Sequence, residues 1–289
     1  MAENKKFIDI HSHIIFGADD GAGSLDEAIE LLKLDREEGA YAVFATPHYG
    51  IENIYTPDAA LVMQKFELLK ERAAAEVPEV KLYLGTEWYC AWTLARRIRC
   101  REAFRMNETD YILTEFLEYK EGHEKPETIF SNLMELKSQG FRPILAHPER
   151  YAAMQEDRDR LKELTDNGIL LQVNAYDLEL NGSLRTKNLA RWLVKERMIS
   201  FIGSDMHGLP PKRPPRMKEG LNWLYETRTG NTLTPSPSGT RRSCCLGSKE
   251  LSHGRRPACL EMEVSWGGQE GGVVYEEHLE GRHLRSRGR

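Results

Sequence analysis

The stretch that decides the fold lies near the N-terminus, where Phe7-Ile8-Asp9-Ile10 is followed directly by His11-Ser12-His13. The first four residues have the pattern of a β-strand, and one residue separates the two histidines. Residues i and i+2 of an extended chain point to the same side. His11 and His13 can therefore direct two imidazole rings at one point beyond a strand end. Taken alone, the pair could equally well be two polar histidines in a loop. The residues at the ends of the later strands distinguish these two interpretations.

The composition is that of a globular protein with one or two domains: 289 residues, 40% hydrophobic and 29% charged. A net charge of −5 without a broad basic excess argues against a nucleic-acid partner. Met1–Lys6 lacks the apolar run of a signal peptide, and no stretch is long and apolar enough for membrane insertion. Five cysteines without a Cys-x-x-Cys pair favour a reducing, cytoplasmic setting.

Short apolar strands alternate with helices over the first 200 or so residues, which predicts a parallel sheet. Seven strands are predicted, at 7–10, 41–45, 80–84, 111–114, 142–146, 169–173 and 199–202. Helices are predicted at 24–39, 56–75, 93–104, 126–139, 158–167 and 184–197, and a helix after the last strand is less distinct. The number of units suits a closed or nearly closed (β/α) barrel, with a doubly wound open sheet as the alternative.

Polar residues at the strand ends favour the barrel, because barrel strand ends converge on one face. Six of the seven strands end in a potential metal ligand and the seventh ends in Asn174. Imidazole and carboxylate groups without a thiolate suit Mn²⁺, Fe²⁺ or Zn²⁺ and argue against a structural zinc site. Nine ligands suit two or three ions, an arrangement that clamps a phosphoryl group and generates hydroxide. The candidates are His11, His13, Asp20, His48, Glu87, Glu115, His147, Asp205 and His207.

Several motifs occur in an order that resembles the PHP (polymerase and histidinol phosphatase) superfamily. They include Ala45-Thr46-Pro47-His48-Tyr49, His147-Pro148-Glu149-Arg150 and Ser204-Asp205-Met206-His207, after the initial His-x-His. More narrowly, with Asp19-Asp20-Gly21, they resemble the manganese-dependent tyrosine-protein phosphatases of capsule and exopolysaccharide operons, the CpsB/YwqE-like group. The resemblance covers roughly residues 5–225.

This resemblance implies a distorted (β/α)₇ TIM-like barrel of the PHP fold and a trinuclear site that holds Mn²⁺. The nine candidates match the family's ligand positions. Arg150 matches an arginine that contacts phosphate, and Arg213 is similar to a second one. The spacing after His207 is one residue longer than the family's, which makes Lys212 a neighbouring candidate. The implied partner is the tyrosine-phosphorylated tail of a bacterial tyrosine kinase that controls polysaccharide export.

Other functions compete with this one. Another PHP phosphoesterase, such as a histidinol-phosphatase, would use the same ligands. An amidohydrolase-like barrel also begins with His-x-His, but no lysine stands at a middle strand end here. Cys90 and Arg96 have the Cys-x₅-Arg spacing of cysteine-dependent tyrosine phosphatases, although the residues between them include no glycine. A metal-loaded scaffold without catalytic activity is the non-enzymatic reading.

The chain changes character near residue 229, where apolar periodicity is lost. Residues 230–289 hold ten of the 23 glycines and three of the five cysteines. We therefore predict a phosphatase barrel at 1–228 and an irregular, disordered segment at 229–289 that resembles translation in the wrong reading frame. A disordered regulatory tail or a basic arm are the alternatives.

Overall fold

A computed structural model describes residues 6–51, 54–116, 125–179, 183–229, 242–246 and 260–264. Its strands are β1 (Phe7–Ser12), β2 (Ala40–Ala45), β3 (His48–Tyr49), β4 (Lys81–Leu84), β5 (Glu87–Tyr89), β6 (Tyr111–Glu115), β7 (Arg142–Ala146), β8 (Leu170–Asn174), β9 (Phe201–Gly203), β10 (Arg242–Leu246) and β11 (Leu260–Val264). Its α-helices are α1 (Leu25–Glu38), α2 (Ala59–Glu76), α3 (Leu94–Arg99), α4 (Pro126–Ser138), α5 (Ala152–Glu156), α6 (Arg158–Asp166), α7 (Ala175–Glu179), α8 (Leu184–Lys195) and α9 (Met217–Thr229).

The structure has an α/β fold with two parallel sheets, in the orders β1-β2-β4 and β3-β5-β6-β7-β8-β9. All seven predicted strands are present, and the second and the third each continue after a short break as a further strand, β3 and β5. The second breaks at Thr46-Pro47 because proline has no N–H for a sheet ladder. The third breaks beside it, at Gly85-Thr86. Each broken strand therefore begins in the first sheet and ends in the second.

The predicted closed sheet is not formed within the described ranges. Among the described residues β1 and β9 form no ladder, and the isolated bridge beside them joins Ser12 to Met206, which lies three residues beyond β9. Two backbone hydrogen bonds support it, from His13 N to Met206 O at 2.9 Å and from Asp205 N to His11 O at 2.8 Å. The ladder ends because β9 has three residues and Asp205 then turns to a φ of +52°. The first and last strands are therefore adjacent without a continuous ladder.

Helix α1 begins and ends as the sequence predicts. The Ser24 hydroxyl accepts a hydrogen bond from Glu27 N at 3.2 Å, and Gly39 ends the helix at a φ of +122°. Ala28, Ile29 and Leu32, which lie on one face of the helix, are buried. Helix packing on the sheets thus follows the hydrophobic pattern.

Three other predictions about helices are corrected. Helix α2 begins at Ala59 rather than at Thr56-Pro57, because Asp58 caps it by accepting a hydrogen bond from Ala60 N. Helix α3 ends at Arg99 instead of near Phe104. The Trp88 indole N–H donates to Phe104 O at 2.9 Å and holds that segment against β5. The short helices α5 and α7 were not predicted.

The C-terminal region begins with α9, which extends to Thr229, and β10 pairs with β11 in antiparallel fashion. Residues 230–241, 247–259 and 265–289 lie outside the described residues, so the expected irregular tail stays a prediction. None of the described helices has the length and apolar character needed to span a membrane.

Asp35 of α1 is fully buried, and neither of its carboxylate oxygens has a hydrogen-bond partner among the described residues. Burial raises the pKa of Asp35 well above its usual range, and the nearby Asp9 and Glu38 raise it further. The carboxyl group is therefore protonated in the folded protein at pH values where it ionises in the unfolded chain. Its contribution to stability is complete below the unfolded pKa of about 4 and is lost as pH rises towards the folded pKa.

We expect Asp35→Asn to raise the melting temperature at pH 8, by about 2–4 °C for each kcal/mol of ionisation cost removed. The difference from wild type should vanish at a pH of about 3, below the unfolded pKa, where Asp35 is protonated in both states. Thermal unfolding followed by circular dichroism at the two pH values measures this. Glu37→Gln, at an exposed position of the same helix, is the control. Equal destabilisation by Asp35→Asn at both pH values would contradict the assignment.

Candidate metal centre

Nine imidazole and carboxylate side chains converge where the parallel strands end. His11 lies in β1, and His13 and Asp20 follow that strand. His48 begins β3 and Glu87 begins β5, since the strand breaks place both residues inside short second-sheet strands rather than in loops. Glu115 ends β6 and His147 directly follows β7. Asp205 and His207 follow β9, which completes the set.

Glu87 lies at the centre of this cluster and is fully buried. Its Oε2 atom is 3.0 Å from His11 Nε2, 3.3 Å from His13 Nε2 and 3.1 Å from His48 Nδ1. Its Oε1 atom is 2.9 Å from His147 Nε2. Both oxygens of one carboxylate are thus directed at four imidazole nitrogens from three strand ends, an arrangement that suits a carboxylate shared between ions.

The ligand atoms fall into four overlapping groups, within each of which they lie no more than 4.8 Å apart. His11, His13, His48 and Glu87 each belong to two groups, so neighbouring groups share members. The groups are His13-Asp20-His48-His207, His11-Glu87-His147, His11-His13-Asp205 and His48-Glu87-Glu115. Every sequence-predicted candidate belongs to at least one of them. Shared members are what an assembly of several ions needs.

Three buried nitrogen and oxygen atoms without hydrogen-bond partners show whether the nine clustered residues fit a metal. His48 Nδ1, Glu87 Oε2 and Glu115 Oε1 are buried and lack a partner of acceptable geometry. His48 Nδ1 nevertheless lies 2.8 Å from Glu115 Oε1. Unpaired buried polar atoms are costly, and a cation between them would satisfy all three. The residues therefore fit a divalent metal site.

Glu87 and Asp205 are ionised at neutral pH, whereas burial and the nearby Glu87 raise the pKa of Glu115. Burial opposes the ionisation of Glu87, but His11 and His48 outweigh it and hold the pKa of Glu87 well below its usual range. Burial likewise opposes the ionisation of Asp205, and His11 and Arg213 hold its pKa well below the usual range. Burial and His13 lower the pKa of His48, but Glu115 and Glu87 raise it to about 9. The centre therefore attracts cations, and binding a metal must displace protons from imidazole.

Asp205 connects this cluster to the two predicted phosphate-contacting arginines. Its Oδ1 atom faces the histidines, 3.4 Å from both His13 Nε2 and His207 Nδ1. Its Oδ2 atom accepts hydrogen bonds from Arg150 Nη1, at 2.9 Å, and from Arg213 Nη1. The two guanidinium groups thus stand side by side at the edge of the cluster.

Arg150 and Arg213 are each about a quarter exposed, so both remain open to solvent. Arg150 is held in place from behind, because its Nε atom donates to Asp177 Oδ2 at 2.7 Å. Lys212, the neighbouring candidate, instead donates to the carbonyl oxygens of Asp20 and Gly21. His207 and Arg213 are connected by a turn in which His207 N donates to Arg213 O at 2.8 Å.

Several residues that support the ligands were missed by sequence reasoning. Asp19 accepts a hydrogen bond from His13 Nδ1 at 2.8 Å and from His48 N at 2.9 Å. Tyr55 stacks on His48 with ring centroids 4.8 Å apart. Gln172, inside an otherwise apolar strand, lies 3.0 Å from His11 Nδ1. A polar residue two positions before Asn174 was the signal that could have revealed this contact.

Cys90 and Arg96 do not form the phosphate loop of a cysteine-dependent phosphatase. Cys90 is buried, and Arg96 lies on the exposed side of α3. Residues 91–93 lead into this helix rather than wrapping an anion site. We therefore expect Cys90→Ser to retain most of the wild-type phosphatase activity with Mn²⁺. Complete loss of activity in a variant that melts like wild type would contradict a metal-based reaction.

The chain matches the family model described as capsular polysaccharide synthesis, CpsB/CapC, over residues 7–235. It is 30% identical over 221 residues to the tyrosine-protein phosphatase CpsB of Streptococcus agalactiae, covering 73% of this chain and 87% of that protein. It is 29% identical over 202 residues to the tyrosine-protein phosphatase YwqE of Bacillus subtilis, covering 70% and 78%.

A solved chain from the crystal structures of Bacillus subtilis YwqE and Streptococcus pneumoniae CpsB, described as metal-dependent tyrosine phosphatases, has a similar structure. The TM-score is 0.69 at 27% identity, over 78% of this chain and 89% of that one. The family match covers most of the chain and includes all nine clustered residues. The chain therefore belongs to the CpsB/CapC family of capsular polysaccharide synthesis.

Proposed function

We propose that the chain is a metal-dependent protein-tyrosine phosphatase that acts in capsule or exopolysaccharide synthesis. The observation that carries the proposal is the nine-residue cluster with Arg150 and Arg213 at its solvent-facing edge. Its family relatives are named tyrosine-protein phosphatases. The substrate we infer is phosphotyrosine on the tail of a bacterial tyrosine kinase, and the setting we infer is the cytoplasm. Another PHP phosphoesterase, such as a histidinol-phosphatase, is the alternative.

The nine residues would hold two or three ions, with Mn²⁺ our first choice and Fe²⁺ or Zn²⁺ as alternatives. Bound ions supply Lewis-acid polarisation of the phosphoryl group and a water of lowered pKa. Glu87 supports this assignment because both of its oxygens face imidazole nitrogens. Asp19 and Gln172 support it because each accepts from the far nitrogen of a proposed ligand histidine.

Arg150 and Arg213 have the chemistry to bind the phosphoryl oxygens. Guanidinium groups present several donors in a fixed plane, which suits bidentate contact with phosphate. Asp177 holds Arg150 through Nε and leaves its remaining donors directed at the edge of the cluster. Positive charge placed there would stabilise the charge that develops in the transition state. The leaving phenol, with a pKa of about 10, needs less protonation than an alkoxide would.

We infer that the two sheets act together as a distorted (β/α)₇ barrel. The strand order, the shared broken strands and the Ser12–Met206 bridge support this inference. We also propose that residues 1–228 form the phosphatase unit and that residues 229–289 do not carry the activity. All the proposed ligands and both arginines precede residue 229.

Two substrates assayed side by side test this function. The purified full-length chain, supplied with Mn²⁺, is given a tyrosine-phosphorylated peptide and histidinol phosphate under identical conditions. We expect a higher kcat/KM for the peptide. A higher kcat/KM for histidinol phosphate would establish the alternative, and hydrolysis of neither would refute both.

A further inference from the structure

Strand β8 differs from its neighbours because it contributes no ligand to the cluster. Its inward-facing residues are instead two amides, Gln172 and Asn174, which lie two positions apart and so point to the same side. Both are fully buried. Buried amides must find partners for their donors and acceptors, and here those partners include His11 of β1 and Asp205, which follows β9.

A continuous chain of hydrogen bonds runs through these two amides, which we call the amide relay (Gln172 and Asn174). His11 Nδ1 lies 3.0 Å from Gln172 Oε1. Gln172 Nε2 donates to Asn174 Oδ1 at 2.8 Å, and Asn174 Nδ2 donates to Asp205 Oδ2 at 2.8 Å. The relay therefore joins His11 to Asp205.

The Asp205 carboxylate, at one end of the amide relay, fixes which group donates and which accepts in each of its hydrogen bonds. Ionised Asp205 can only accept, so Asn174 must turn its NH₂ group towards it. The oxygen of Asn174 then faces Gln172, which must present its own NH₂ group. The oxygen of Gln172 is left for His11, which must carry a proton on Nδ1.

We propose that the amide relay is a positioning device for metal binding, which fixes the tautomer of His11 and the orientation of Asp205. With its proton on Nδ1, His11 presents the lone pair of Nε2 to the cluster, where Glu87 Oε2 lies 3.0 Å away. With Oδ2 held by Asn174, Asp205 presents Oδ1. This inference rests on the metal centre of the proposed function, but it does not depend on the substrate.

Gly203 makes the relay possible by leaving space. A Cβ atom at this position would lie 2.7 Å from His11 Cβ and 3.0 Å from Gln172 Nε2. The first contact is closer than packing allows and the second is tight, so a side chain at 203 would displace His11 and crowd Gln172. Strands β8 and β9 thus approach β1 closely enough for the contact between His11 and Gln172.

Two substitutions of Gln172 in the full-length chain test the relay. Gln172→Met removes the acceptor for His11 with little change of volume, whereas Gln172→Glu keeps an acceptor there. We expect Gln172→Met to weaken Mn²⁺ binding about 10–100-fold, as loss of an outer partner of a ligand histidine does. Gln172→Glu should recover part of this loss, because a carboxylate keeps the acceptor for His11 although it cannot donate to Asn174. Competition with a metal indicator measures the affinity without any substrate.

A spectroscopic readout follows the tautomer itself. With Zn²⁺ as a diamagnetic probe and histidine labelled with ¹⁵N, His11 should keep its proton on Nδ1 in wild type and in Gln172→Glu. In Gln172→Met, His11 should no longer be held in the one tautomer that carries its proton on Nδ1. Thr165→Val, which removes a buried hydroxyl that donates to Lys162 O in α6, is the control and should change neither readout.

Wild-type Mn²⁺ affinity and an unchanged His11 signal in Gln172→Met would overturn the proposal. Equal weakening by Gln172→Met and Gln172→Glu would also overturn it, because that result indicates lost packing rather than a lost acceptor. A chain with the expected differences that leaves phosphotyrosine intact would support the relay and refute the proposed function.

Discussion

Asp205→Asn is expected to lower kcat/KM for a phosphotyrosine peptide by about 10³-fold or more. The substitution keeps the shape of the side chain but removes the charge that faces His13 and His207. It also leaves Arg150 and Arg213 without the carboxylate oxygen that they share. Metal polarisation contributes several kcal/mol to such reactions, and each 1.4 kcal/mol or so is worth a factor of ten.

The measurement is a steady-state assay with Mn²⁺, accompanied by a thermal melt of each variant. Asp159→Asn is the control, since Asp159 is exposed in α6 and pairs only with Lys162 among the described residues. It should behave like wild type. An Asp205→Asn variant that keeps more than about a tenth of wild-type kcat/KM would remove Asp205 from the proposed ligand set, because a tenfold loss is only about 1.4 kcal/mol.

Removing metal is expected to have the second large effect, a complete loss of phosphatase activity. His48 Nδ1, Glu87 Oε2 and Glu115 Oε1 have no hydrogen-bond partner within the described part of the chain, so the protein alone leaves them unsatisfied. Dialysis against a chelator should abolish hydrolysis, and added Mn²⁺ should restore it. Because cations satisfy these atoms and offset repulsion among the carboxylates, metal removal should also lower the melting temperature.

Activity that persists after chelation, with metal below detection, would contradict this account. Cys90→Ser belongs in the same experiment as a comparison. If a cysteine were the nucleophile, chelation would have little effect and the substitution a large one. A metal-based reaction predicts instead that chelation abolishes activity and that Cys90→Ser has little effect.

The convergence of the nine candidate residues could be predicted because it follows from a local feature of the sequence. A strand ending in His, Asp or Glu can be recognised along the chain, and parallel strands bring such ends to one edge. His11, His13 and Asp205 were found in this way. His48 and Glu87 were found too, although both lie within short strands, and these strands pair in parallel with His48 opposite Glu87.

Other features depend on contacts between distant parts of the chain, which the sequence pattern does not contain. Helix α3 ends early partly because Trp88 binds Phe104 O, and nothing in residues 93–104 signals this. The sheet fails to close because Asp205 turns sharply after β9. The role of Gln172 depends on neighbours more than 30 residues away in the sequence, His11 and Asp205.

The central claim is that the nine clustered residues hold several metal ions. Elemental analysis tests it most directly, on the full-length chain stripped with chelator, reloaded with Mn²⁺ and freed of unbound metal. The account predicts two or three ions per wild-type chain, in line with the shared ligands of multi-metal sites, and fewer for Asp205→Asn. Fewer than about one ion per wild-type chain would contradict it, since every catalytic role proposed for the cluster needs a bound metal.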